Sequence, residues 1–298
     1  MRVQNVGLSW QQGAVLTAAL AGAAAAARWL PVSASASTSM QRGSLRLRAA
    51  YPFLRESTLL AGLYSLWQLA GSLSVLGTQG AFQRAQDLVR WQHDLHLPSE
   101  ASVQRLITGH PLVVQACNLY YATMHFGVLF VFLVWLFVRH RAEYGRWRTT
   151  LVLLTAGCLL IQLIPVAPPR LLSGYVDTAA QYGQSVYGLG LSTDQLSAMP
   201  SVHVGWAVLI AWVVVTVSRS RWRWLAIAHP VLTTFVVVAT ANHFWLDGVG
   251  AVGVLVVCVG LQRGVRASLG RMTARWRGGP RAVESANADQ VLAAPRVK

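Results

Sequence analysis

The chain has 298 residues, of which 54% are hydrophobic and only 12% charged. That is about half the charged share of a soluble domain, which excludes an ordinary soluble fold and places the chain in the membrane class. The formal net charge of +15 comes almost wholly from arginine, Lys298 being the only lysine; the arginines fall in blocks between apolar runs, a pattern of membrane loops rather than of a nucleic-acid surface.

In chain order, the first apolar stretch is 13–27, short and alanine-rich. It follows Arg2 and precedes the small-residue segment Ser33-Ala34-Ser35-Ala36-Ser37. Three readings stand open for it: a cleaved signal segment, an untranslated leader ahead of a start at Met40, or an extra helix. Six longer runs follow, at 57–77, 112–138, 149–166, 199–218, 224–241 and 243–262. Each approaches the ~20 apolar residues that cross a hydrocarbon core. None contains Lys, Arg or Glu, and their only carboxylate is Asp247. The expected fold is therefore all-α, a polytopic bundle of six core transmembrane helices. Its parts are an N-terminal segment 1–56, a catalytic membrane domain 57–262 and a basic tail 263–298 expected to be disordered. Cys117, Cys158 and Cys258 each lie inside an apolar run, so neither a disulfide nor a structural metal is expected.

Topology follows from the arginines. Arg42, Arg46, Arg48 and Arg55 precede the first run, and Arg139, Arg141, Arg146 and Arg148 follow the second. Arg219, Arg221 and Arg223 follow the fourth, and Arg263, Arg266, Arg271, Arg275 and Arg277 follow the sixth. The positive-inside rule puts these four segments, and both ends of the core, in the cytoplasm. Three connections then face outward: 78–111, whose part 81–97 is amphipathic; 167–198; and a tight turn at Ala241-Asn242. The expected location is a plasma membrane of bacterial type.

Ionisable groups inside apolar runs are costly and mark functional sites. Here they are His125, His203, His229, His243 and Asp247. The arginine topology brings His203, His243, Asp247 and Arg170 to the same outer face. His243 and Asp247 are four residues apart in a helical run and share one face. A carboxylate beside an imidazole selects one tautomer and stabilises the charged ring. Pro200 and Ser201 signal the start of the fourth helix, whose free N–H groups suit phosphate. Pro165, Pro168 and Pro169 stiffen the exit of the third, leaving Arg170 with its planar fork just outside. His125 lies fourteen residues before Arg139, about 21 Å from the inner end, and so in the outer third of a core about 30 Å thick. It is expected to join the site as a phosphate ligand or as base for an acceptor hydroxyl. His229-Pro230 reads as a kink with a structural histidine. His93, His96 and His110 have no metal-site spacing. Each group alone has an ordinary reading as a cap, a snorkelling side chain or a helix–helix hydrogen bond; their convergence carries the case.

Pro200-Ser201-Val202-His203, followed some forty residues later by His243-Phe244-Trp245-Leu246-Asp247, resembles the membrane branch of the type-2 phosphatidic acid phosphatase superfamily. The closest likeness is to its inositolphosphotransferase-like group, the inositol phosphorylceramide synthase type. Asn118-Leu119-Tyr120-Tyr121-Ala122-Thr123-Met124-His125, Pro165 to Leu172, Asp177-Thr178 and Ala198-Met199 support it, and the likeness spans about 57–262. The resemblance implies His243 as nucleophile, Asp247 as its orienter and His203 as acid for the leaving group. Arg170 and Ser201 would hold phosphate oxygens, with Asn118 and Asp177 as accessory residues. Two basic residues usual in the superfamily are missing: Val236-Val237 stand where a Ser-Arg pair is expected, and 157–164 holds no lysine. That loss favours transfer over hydrolysis. The expected activity is a phosphohistidine-dependent lipid phosphotransferase without metal or cofactor. It would act on a phospholipid or polyprenyl phosphate and pass the phosphoryl group to a polyol or lipid hydroxyl. The alternatives are a lipid phosphate or isoprenoid pyrophosphate phosphatase and, more distantly, a histidine-dependent transporter.

Overall fold

A computed structural model describes residues 9–29, 38–72, 79–184 and 193–277. The described regular structure is helical, apart from one isolated parallel bridge between Val166 and Ser197. The helices are α1 (Trp10–Trp29), α2 (Thr38–Ser72), α3 (Ala81–Asp94), α4 (Glu100–Thr108), α5 (Pro111–Arg139), α6 (Arg141–Gln162), α7 (Thr178–Gln181), α8 (Val202–Val217), α9 (Ala228–Ala239) and α10 (Trp245–Arg277). Among the described residues, three helical segments are long and apolar enough to cross a membrane: Pro111–Arg139, Arg221–Ala239 and Trp245–Thr273; Val202–Val217 is apolar but shorter. The protein is a membrane protein built from helices.

The stretch 13–27 lies within α1, which packs along α2. Small residues permit the close approach: a Cβ on Gly13 would stand 2.5 Å from Ser65 Oγ, and one on Gly62 would touch Thr17. The small-residue segment 33–37 and the tail beyond 277 lie outside the described residues. Helix α10 does not stop at 262 but continues to Arg277, so the first part of the basic segment is helical. The first strong breaker after the sixth run is Gly278-Gly279-Pro280, which is why the helix outlasts its apolar stripe. Pro230 sits in the first turn of α9, just after a 3-10 segment at Arg221–Ile227, so it opens a helix rather than kinking one. His229 Nδ1 lies 3.1 Å from Tyr120 Oη, tying α9 to α5.

The amphipathic stretch after the first run becomes α3. Its inward stripe is Ala81, Ala85, Leu88 and Gln92, of which the first three pack on Val166, Leu196, Ala198 and Phe244. Arg84 Nε donates to the Pro165 carbonyl at 2.6 Å, pinning α3 to the end of α6. Residues 79–108 thus roof the end of the bundle where α8 and α10 begin.

Beneath that roof α6, α8 and α10 make the main core, with Leu154, Trp206, Leu209 and Leu255 buried together. Gly157 sets the spacing of α6 and α10, since a Cβ there would meet Val254 Cγ1 at 2.8 Å. Gly157→Leu is expected to destabilise the protein by about 1–3 kcal/mol through overpacking. Gly127→Leu, at a position with nothing within 4 Å, should leave stability unchanged. Thermal unfolding of the two variants in the same detergent checks the contrast.

Candidate active site

His203 stands in the first turn of α8, where the sequence puts it. Ser201 is the N-cap, its hydroxyl accepting the Val204 N–H at 3.4 Å. Ser201 is fully buried, so this hydroxyl serves the helix start. The Ser201 N–H donates to the Asp247 backbone carbonyl at 3.0 Å, joining the starts of α8 and α10. The first-turn N–H groups of Val202 and His203 have no intrahelical carbonyl to bind.

His243 precedes α10 by two residues. Its Nδ1 lies 2.7 Å from the Ala198 carbonyl oxygen and 3.2 Å from Asp247 Oδ2. A carbonyl can only accept, so Nδ1 carries a proton, and in the neutral ring Nε2 then keeps its lone pair. Asp247 Oδ2 also accepts the Phe244 N–H at 2.8 Å. The two side chains meet as expected, but not as neighbours on a helix face. The helix begins at Trp245, and Asp247 in its first turn reaches back over the helix start. His243 is nearly buried and Asp247 is fully so.

The expected tight turn ends α9. Asn242 and His243 both donate their N–H to the Val237 carbonyl, at 3.0 and 3.1 Å. Ala241 adopts φ +54° at the left-handed position usual for glycine, a strain of roughly 1 kcal/mol. Its carbonyl accepts the Arg170 N–H at 2.8 Å. Val236 and Val237, at the expected Ser-Arg positions, are buried in an apolar cluster with Ile107, Val114 and Tyr121.

The imidazoles form a row. The rings of His125 and His203 are 4.2 Å apart and perpendicular, and those of His203 and His243 are 5.5 Å apart. Tyr121, one turn before His125, lies 4.8 Å from His203. His203 Nδ1 is buried and finds no hydrogen-bond partner among the described residues.

Arg170 sits in a single 3-10 turn, Pro169–Leu171, and its side chain is almost wholly buried. Nη1 donates to Asp177 Oδ2 at 2.7 Å. Asp177 in turn caps α7 through the Ala180 N–H. Asn118 bonds to the Asp177 loop rather than to an imidazole. Its amide donates to the Thr178 carbonyl and accepts from the Thr178 hydroxyl, so it fastens the Asp177 loop to α5. Gln104 grips the same loop, its amide bonding both the N–H and the carbonyl of Val176.

Sequence reasoning missed the residues that hold the start of α10. The Trp245 N–H donates to Glu100 Oε1 at 3.2 Å and the Leu246 N–H to Gln92 Oε1 at 3.1 Å. Helix starts leave such donors orphaned, and a carboxylate there also meets the positive end of the helix dipole. Tyr175 donates to the other Glu100 oxygen; burial, and then the neighbouring Glu100, push its phenol up to about 12, so it remains a donor at neutral pH. No local signal marks Gln92 or Glu100, whose partners are some 150 residues away. Tyr121 was within reach, being one helical turn from His125.

A family model of the PAP2 superfamily matches residues 86–261, more than half of the chain, and the protein belongs to that family. It is an enzyme of the phosphatidic acid phosphatase type. No curated protein matches the chain, and no solved structure does.

Glu100 is almost fully buried, so Glu100→Ala strands the Trp245 N–H. It is expected to cost about 1–3 kcal/mol of stability, the price of an unsatisfied buried donor. Glu100→Gln, which keeps an accepting oxygen, should cost less. Chemical denaturation of both variants in detergent tests the ordering.

Proposed function

We propose that the protein is a lipid phosphotransferase of the inositolphosphotransferase-like branch, working through a phosphohistidine at His243. The observation that carries this reading is the 2.7 Å contact of His243 Nδ1 with a carbonyl, which leaves Nε2 as a bare nucleophile beside His203. Nε2 attacks the phosphorus of a phospholipid or polyprenyl phosphate. The N–P bond forms, the P–O bond to the leaving alcohol breaks, and His203 delivers the proton that alcohol takes up. An acceptor hydroxyl, on a polyol or a second lipid, then attacks the phosphohistidine. Its proton passes to the His203–His125 pair, the N–P bond breaks, and the nucleophile is restored.

Catalysis in such a transfer rests on placement and charge. Arg170, oriented by Asp177, holds phosphate oxygens. The N–H groups of Val202 and His203 at the start of α8 do the same, and Ser201 acts through the helix it starts. Asp247 fixes the ring and favours the imidazolium-like charge of the phosphorylated state. Transfer is favoured over hydrolysis by two features. His243 is roofed by residues 79–108, which restricts water, and the apolar Val236 and Val237 stand where the superfamily usually has a second basic residue. The arginine pattern supports an outward-facing site with both core ends in the cytoplasm.

Brief incubation with a 32P-labelled lipid phosphate, followed by acid and alkaline quenching, should label the wild type with acid-labile, alkali-stable phosphate. His243→Ala should carry none; equal labelling of both removes the proposed nucleophile. His203→Ala is expected to lower turnover by about 10²–10⁴-fold. With glycerol or inositol present, a new phosphate ester of that polyol supports transfer, while release of inorganic phosphate alone makes the enzyme a phosphatase. Turnover should not change with EDTA.

A further inference from the structure

A cavity of about 900 Å³ opens between the far ends of α5, α6, α8 and α10. Its walls include Trp135, Trp147 and Trp212, and its charged groups are Arg146, Arg219, Arg223, Arg263 and Glu143, with His140 beside them. Four guanidinium groups against one carboxylate give it a strong positive excess.

The cavity is remote from the imidazole row, and three helices agree on this at about 1.5 Å per residue. Trp135 lies ten residues beyond His125 on α5, about 15 Å; Thr216 lies thirteen beyond His203 on α8, about 20 Å; Arg263 lies sixteen beyond Asp247 on α10, about 24 Å. It therefore takes no part in the proposed phosphoryl transfer.

These arginines converge on one cavity from α6, α10 and the turn after α8, and three further observations describe its walls and rim. Trp147 is a wall of the cavity, is buried, and its indole N–H finds no hydrogen-bond partner among the described residues. The tryptophans are ordered against their neighbours: Trp147 stacks edge-on to Trp212 at 5.7 Å, and Arg146 lies over the Trp147 ring at 4.5 Å. Beside the cavity, the turn after α8 exposes Trp222, Trp224 and Leu225, the amphipathic rim found where protein meets lipid head groups. Arg223 is held over the Trp224 ring, and its Nη1 bonds the Ser218 carbonyl at 3.2 Å.

We propose that this cavity is a second, non-catalytic site for a phosphate-bearing anion, held by Arg146, Arg219, Arg223 and Arg263 at the end of the bundle opposite the active site. The ligand is either the head group of an anionic lipid of the adjoining leaflet or a free phosphate compound. Arginine forks pair with phosphate oxygens in two-point contacts, and basic pockets between membrane helices take such head groups.

The test uses the full chain with Arg219→Gln/Arg263→Gln in one variant. Arg266→Gln/Arg271→Gln, an equal loss of charge further along α10, serves as control. Binding is read in two arms. One is native mass spectrometry of detergent-purified protein titrated with phosphatidylglycerol against phosphatidylcholine; the other is the shift in thermal unfolding with inorganic phosphate. Wild type and control should bind alike, and the pocket variant about tenfold or more weaker. Loss in the lipid arm identifies a head-group site, and loss in the phosphate arm alone a site for a soluble anion. Equal binding by all three proteins, or equal loss in variant and control, overturns the proposal. Turnover of the pocket variant in neutral detergent should match the wild type, which reports that it has folded. If the double variant fails to fold, Arg263→Gln alone is compared with Arg266→Gln by the same measurements.

Discussion

The hydrogen bond from His243 Nδ1 to the Ala198 carbonyl, at 2.7 Å, is the contact on which the site depends. It joins two segments that are far apart in sequence and that lead into different helices, α8 and α10. Ala198 is itself held in place: its N–H donates to the Val166 carbonyl, and the Val166 N–H donates to Leu196. Gln162, at the end of α6, reaches the Pro200 carbonyl at 2.9 Å. The ring orientation of one histidine therefore reports on the exit of α6, the entry of α8 and the start of α10 together. A neutral acceptor at the shorter distance also divides the work. The carbonyl selects the tautomer. Asp247 adds charge and ties the same turn through the Phe244 N–H.

The roof over this contact is polar where it touches the helix start and apolar elsewhere. Leu88 and Phe244 fill the apolar part, and Gln92 and Glu100 accept the N–H groups that α10 cannot satisfy internally. Glu100 thereby couples the roof to Tyr175, and Gln104 couples it to Val176, one residue before Asp177. Arg170, Asp177 and the first turn of α10 share one set of supports. A disturbance in 100–104 would reach both Arg170 and His243.

Much of this was legible in the sequence, for physical reasons that can be named. Apolar runs mark helices because every backbone group must be satisfied within lipid, and intramembrane histidines stand out because they are expensive there. His125 is the clearest instance: helical rise alone put it near the level of His203, and the two rings lie 4.2 Å apart. Helix boundaries were less legible. His243 looked like the first residue of a helix because Phe244 and Trp245 continue an apolar run. The left-handed turn at Ala241 uses alanine where a glycine would have announced it. The supporting residues were not legible at all. A glutamine in an amphipathic loop helix carries no sign that its partner is an N–H more than 150 positions away.

Charge is distributed differently at the two ends of the bundle. At one end the buried arginine, Arg170, is already paired with Asp177 at 2.7 Å. A transferred phosphoryl group must be held and then released, and an arginine shared with a carboxylate binds it less tightly than an unshared one. At the other end four arginines face one glutamate around a cavity. That excess suits retention rather than turnover. An anion held there would neutralise the repulsion among Arg146, Arg219, Arg223 and Arg263, which sit on α6, α10 and the turn after α8. These are the helices whose opposite ends carry the start of α8, its His203 and the first turn of α10.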